Sequence, residues 1–136
     1  MATVLVQGQI STSAEKLWAR IKNFDLTHFV GFVHTVEGEG VGTIRKFDMG
    51  KGEIAEQIEQ FDPIAQTLTY TILYGPMPVQ AYHATMQVMP GDETSCTLTW
   101  SAVFEPKDVP EDEAKGVIEG TFKMNIKALN KIFAYA

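Results

Sequence analysis

The chain has a single cysteine, Cys96, in 136 residues. It can therefore form no internal disulfide and no cysteine-built zinc site, a count that suits a reducing compartment. Basic residues are scarce as well. Eleven Lys and Arg against seventeen Asp and Glu leave a net charge of -6, which argues against a nucleic-acid partner or an anionic membrane surface. No stretch approaches the roughly 18 consecutive apolar residues of a membrane-spanning helix, so no stable membrane insertion is expected. Residues 1–10 lack the basic start and long apolar run of a signal peptide. His28, His34 and His83 show no metal-ligand spacing, and no Gly-x-Ser-x-Gly elbow occurs. Gly38, Gly40 and Gly42 fit neither a phosphate-binding loop nor a dinucleotide fingerprint and read as a strand-linking turn. No metal and no cofactor are expected. Repeats, low-complexity tracts and linkers are absent too, which leaves one cytoplasmic domain spanning residues 1–136. With 45% hydrophobic content, a chain of this length buries roughly two thirds of the surface its unfolded form exposes.

The apolar residues carry an informative pattern. Residues 3–10 read as a strand, and Ser13 can cap a helix from Ala14 to about Lys22 whose apolar face is Leu17, Trp18 and Ile21. Residues 23–33 mix aromatic and small side chains without a clean period and suggest a second short helix or turn segment. From His34 to Phe104, apolar and polar residues alternate with period two. Leu68, Tyr70, Ile72 and Tyr74 share one face. So do Tyr82, Ala84, Met86 and Val88 in the next segment, with His83 on the opposite side, and then Cys96, Leu98, Trp100, Ala102 and Phe104. This pattern predicts an antiparallel sheet with one covered face.

The cover is a helix from about Val109 to Ala134, with Pro110 near its first turn, acids at its start and lysines late, as the helix dipole favours. Ile118, Phe122, Leu129, Ile132 and Phe133 form its stripe, and Asn125 falls inside it. Gly116 and Gly120 suggest close packing or a bend. The element order gives an α+β fold with helices segregated to one face. A helix about 10 Å wide cannot fill the hollow of a strongly twisted six- or seven-stranded sheet, so a ligand cavity is expected between them. Pro76-Met77-Pro78 is placed at its rim.

The hairpin around Gly50-Lys51 fixes the chemistry of that cavity. A two-residue type II′ turn with Met49 opposite Gly52 pairs Phe47 with Ile54, Arg45 with Glu56 and Thr43 with Ile58, all on the covered face. A cross-strand Arg45–Glu56 pair in apolar surroundings, with Tyr70, Tyr74, Tyr82 and Asn125 nearby, suits three tasks: binding a carbonyl or carboxylate, orienting a hydroxyl, or transferring a proton. The same pair can simply satisfy itself. Arg45 and Glu56 are the candidate catalytic residues. Tyr70, Tyr74, Tyr82, Trp100, Phe122 and Asn125 are the candidate ligand-binding residues, Trp100 and Phe122 chiefly as wall.

Several short motifs, taken in order, carry a family resemblance. They are Ser13-Ala14-Glu15-Lys16-Leu17-Trp18, Val41-Gly42-Thr43-Ile44-Arg45, Ala55-Glu56-Gln57-Ile58-Glu59 followed by Phe61-Asp62, Leu68-Thr69-Tyr70, and Tyr82 ahead of Met86-Gln87-Val88. Over nearly its whole length the chain resembles the START-like (SRPBCC, Bet v 1-like) helix-grip proteins, nearest to the polyketide cyclase/dehydrase type. The resemblance implies a seven-stranded antiparallel sheet gripping the terminal helix, two short helices after the first strand, and a pocket for a small hydrophobic molecule such as a lipid or polyketide. In the lachrymatory factor synthases of this superfamily, a reactive arginine and glutamate match Arg45 and Glu56. In the abscisic acid receptors, polar pocket residues match Glu56, Tyr82 and Asn125. The receptors' latch motif is replaced here by Met77-Pro78-Val79, and their ligand-holding lysine has no counterpart in residues 27–35. Three functions follow as expectations: a binder of a small hydrophobic ligand; a cyclase, dehydratase or isomerase in which Glu56 moves a proton and Arg45 stabilises an oxyanion; or a protein-interaction domain with a filled interior. The oligomeric state is left open.

Overall fold

A computed structural model describes residues 1–22, 34–48 and 50–134. Strand β1 (Ala2–Ile10) leads into helix α1 (Ala14–Ile21), followed by β2 (His34–Glu37), β3 (Ile44–Asp48), β4 (Glu53–Asp62), β5 (Thr67–Tyr74), β6 (Val79–Pro90), β7 (Cys96–Pro106) and the long helix α2 (Glu111–Ala134). The expected second short segment, residues 23–33, lies outside the described residues. Among the described residues the strands form one antiparallel sheet of seven, in the order β1-β7-β6-β5-β4-β3-β2. The neighbours are mostly successive hairpins, and β1 closes beside β7.

Local sequence explains the main elements. Ser13 is extended at φ -68° and ψ 156°, and its hydroxyl accepts the Lys16 N–H at 3.3 Å, so α1 starts there. Asp48 Oδ1 accepts the N–H of Gly50 at 2.6 Å, and Gly50 takes φ +95°, as a first II′ position requires. Its expected partner Met49 lies outside the described residues, but the pairing of Arg45 with Glu56 and of Phe47 with Ile54 is the register anticipated. Gly38, Gly40 and Gly42 all have positive φ and link β2 to β3.

Helix α2 buries Ala114, Ile118, Phe122, Ile126 and Leu129 and packs chiefly on β1, with a smaller contact to β7. Asn130 fastens its C-terminal half to the end of β1, accepting the Ser11 N–H at 2.8 Å and donating to the Gln9 carbonyl at 2.9 Å. Gly8 permits the close approach, because a Cβ there would stand 2.7 Å from Ile126 Cγ2. The close packing expected at Gly116 and Gly120 is not found: both are exposed, and a Cβ at either would meet nothing within 4 Å.

Three irregularities redirect side chains. Glu56 pairs with Ile72 but Ala55 pairs with Tyr74, so Leu73 is an extra residue in β5. A second shift, between Ile58 and Gln60, leaves Glu59 unpaired and turns both Ile58 and Phe61 inward. In β6, Ala81 and Tyr82 together fill the space opposite Phe104, with Ala81 at φ +50°. Val79 and Tyr82 are therefore both buried although three residues apart.

The glycines give a paired prediction. Gly8→Ala is expected to destabilise the fold by about 1–3 kcal/mol through overpacking against a stiff β-branched side chain. Gly120→Ala, at an open helical position, should stabilise it by up to about 1 kcal/mol. Urea unfolding midpoints measured on the two variants check both signs.

Candidate functional site

Arg45 and Glu56 are 4% and 6% exposed, side by side on the inner face of the β3–β4 hairpin. Arg45 Nε donates to Glu56 Oε1 at 3.1 Å, and Arg45 Nη2 donates to the same oxygen. The guanidinium also sits 4.7 Å from the centroid of the Phe47 ring, two residues along the same strand, a cation–π contact that offsets part of its lost hydration. Because both bonds land on Oε1, Oε2 is left outside the pair.

Further into the sheet lies a chain of buried aromatics. Tyr70 and Tyr82 have ring centroids 6.1 Å apart, and Tyr82 is 6.1 Å from Phe104. Trp100 Nε1 donates to the Tyr70 oxygen at 3.1 Å. The two phenols lie close enough to influence each other's titration. Burial pushes both phenols well above their ordinary titration range; the Glu56 carboxylate reinforces this and Arg45 opposes it. The ion pair and the two tyrosines thus share one electrostatic environment. Trp100 stacks on Phe122 of α2 at 4.7 Å and 17°, forming the wall on the helix side.

Two expected members stand apart. Tyr74 does not share the inner face with Tyr70: the extra Leu73 places it opposite Ala55, half-exposed, where its hydroxyl donates to Glu53 Oε2 at 2.5 Å. Asn125 is half-buried beside the α2 stripe, not within it, because Ile126 takes the inward position. The Pro76–Pro78 loop lies next to the Gly50 hairpin, with Pro76 near Gly52, and its Pro78 carbonyl accepts the Lys107 N–H at 3.0 Å. The two loops and the segment after β7 that begins at Lys107 gather at one end of the sheet. His83 faces outward and meets Glu59 at 2.6 Å. No group of three or more metal-ligating side chains occurs among the described residues.

A pocket not anticipated from the sequence opens toward the opposite end. It has a volume of about 430 Å³ and is lined by Lys22, Gly38, Glu39, Gly40, Thr43 and Phe61. Phe61 is backed by Trp18, the rings stacked at 5.5 Å and 29°. Phe61 and Trp18 lie far apart in sequence, and the Glu59 bulge that turns Phe61 inward carries no composition signal.

Such a sheet wrapped on a long terminal helix is the START-like helix-grip fold. Residues 1–134 match the family described as polyketide cyclase/dehydrase and lipid transport, and the chain belongs to that family. Among solved structures, the protein XoxI from Bacillus cereus is 28% identical, covers 98% of this chain and 96% of its own, and superposes with a TM-score of 0.87. Norcoclaurine synthase from Thalictrum flavum, solved with dopamine and hydroxybenzaldehyde, is 19% identical over 98% of this chain and 87% of its own, with a TM-score of 0.73. Ara h 8.0201 is 16% identical over 99% of each chain, with a TM-score of 0.79. The last two show a shared Bet v 1-like fold. No curated protein matches the sequence. The family, by its description, acts on polyketides and lipids, which makes this a domain for hydrophobic ligands. No helix among the described residues is long and apolar enough to cross a membrane.

Two outcomes follow from this geometry. Arg45→Met strands a buried carboxylate and should cost about 3–5 kcal/mol, whereas the double variant Arg45→Met/Glu56→Leu should return to near the parent stability; a double-mutant cycle by denaturant titration reads the difference. The raised phenol titrations of Tyr70 and Tyr82 mean that the unfolded chain loses these protons first, so their contribution is intact below the ordinary tyrosine value of about 10 and is lost as pH rises above it. A near-ultraviolet alkaline titration should show both phenols ionising only as the protein unfolds.

Proposed function

We propose that the protein binds a small hydrophobic molecule bearing a carbonyl or hydroxyl oxygen in the interior between the sheet and α2, with Arg45, Glu56 and Tyr82 orienting that oxygen. The observation that carries this reading is the ion pair itself, nearly excluded from solvent on an inner face that is mostly apolar. A pair of this kind adds little stability over apolar residues of the same volume, so packing alone gives no reason for it. A ligand oxygen does. Glu56 Oε2 can accept from a hydroxyl, the Arg45 guanidinium can donate to a carbonyl, and the Tyr82 hydroxyl can donate or accept. Trp100, Tyr70 and Phe122 supply apolar wall. Asn125, half-buried beside it, is a further polar contact for a ligand lying along α2.

The cyclase and dehydrase activities in the family description favour a second reading for the same groups. In a dehydration, the Glu56 carboxylate would take a proton from the carbon beside a carbonyl. The electron pair would pass to the carbonyl oxygen, held by Arg45, and then return to expel the β-hydroxyl, which leaves as water with the proton from Glu56. Glu56→Gln would then cut turnover by about two orders of magnitude with binding kept.

Native mass spectrometry on protein purified without detergent tests the binding reading, together with titration by Nile red, an apolar dye with a carbonyl. The expected result is one dye or one retained molecule per chain, with affinity at least about tenfold weaker in the Arg45→Met/Glu56→Leu variant. Absence of any bound molecule and of dye uptake overturns the reading and leaves a side-chain-filled interaction domain. Equal affinity in the folded double variant removes the pair from the site.

A further inference from the structure

We infer that the pocket at the end opposite the Gly50 hairpin is a second small-molecule site, one that takes an aromatic zwitterion. Its described lining includes neither Arg45 nor Glu56. Thr43, just before β3, stands two residues from Arg45, and its hydroxyl donates to the Gly40 carbonyl at 2.7 Å while its backbone N–H reaches the same oxygen at 3.2 Å. Thr43 is buried and forms part of the inner wall. The pocket therefore faces the turn at residues 38–42 and the end of α1.

The lining sets the ligand class. At about 430 Å³ the volume lies within the roughly 300–1,000 Å³ of small-molecule sites. Phe61 offers a partly buried aromatic surface, held in place by its stack on the buried Trp18, and an aromatic ring packs on it in offset or edge-on geometry. At the rim stand two exposed side chains of opposite charge, Lys22 and Glu39. Measured against these described lining residues, an aliphatic guest would leave both charges unused, and a simple anion or cation would meet one partner and one like charge. A molecule with an aromatic ring, a carboxylate and an ammonium group satisfies the ring, Lys22 and Glu39 together.

The test is amide NMR on the full chain with three probes: L-phenylalanine, 3-phenylpropionate and phenethylamine. Phenylalanine at millimolar concentrations should shift the amides of Lys22, Gly38, Gly40, Thr43 and Phe61, and should bind more tightly than either singly charged probe. Lys22→Ala and Glu39→Ala, both surface changes, should each weaken phenylalanine binding about two- to fivefold, as one exposed charge contact allows. Lys22→Ala should leave phenethylamine binding undiminished. The inference is overturned if those amides do not move, if the three probes bind alike, or if the shifts fall at Arg45, Glu56 and Tyr82. That last outcome would send the probe to the interior, and the interior's own test with Nile red stands or fails independently of it.

Discussion

The inner face of this sheet is organised around one hydrogen-bonded charge pair. Arg45 and Glu56 sit opposite each other on β3 and β4, and burial of both makes the hairpin register a matter of electrostatics as well as of packing. A slip by one residue would turn Glu56 outward and leave the Arg45 guanidinium alone in an apolar layer, at a cost of several kcal/mol. Phe47 and Ile54, on the same face, enforce the same register by apolar burial. Two independent forces therefore select one pairing, and it brings a cation and an anion next to Tyr70 and Tyr82.

The side chains that surround the pair are aimed by bulges. Leu73 carries Tyr74 out of the interior, Glu59 brings Phe61 in, and Ala81, in a left-handed conformation that a non-glycine residue adopts only at a cost of about 1–2 kcal/mol, turns Tyr82 toward Tyr70. The Thr71 hydroxyl donates to the Tyr82 carbonyl at 2.7 Å and clamps that last bulge. Helix α2 lies on β1 and, less extensively, β7, at the far side of the sheet from β3 and β4. The sheet order thus places the polar pair and the helix at opposite sides of the inner face, with Tyr70, Tyr82 and Trp100 between them.

Much of this is legible in the sequence alone. The two-residue alternation from His34 to Phe104 identified the inner faces of β5, β6 and β7, and the Gly50 turn identified the Arg45–Glu56 pairing, because both depend on local geometry with a fixed period. Tyr74 and Asn125 were misplaced for opposite reasons. At Tyr74 a strand bulge inserted one residue with no local sequence mark, so strict alternation carried one position too far. At Asn125 the 3.6-residue period allowed either Asn125 or Ile126 into the stripe, and the contact of Ile126 with Gly8 decided it. The Lys22–Phe61 pocket was illegible because its lining comes from a helix end, a turn and a bulged strand, which only the tertiary fold brings together.

The most direct measurement is the NMR signal of the Arg45 Nε–H in the protein loaded with whatever small molecule it retains on purification, compared with the same protein after that molecule is stripped. A guanidinium held against Glu56 and facing a ligand oxygen should give a slowly exchanging, downfield Nε–H that moves on loading. A signal lost to rapid exchange with water would place Arg45 at the surface, and a protected signal identical in both states would make the pair a structural element without a part in binding.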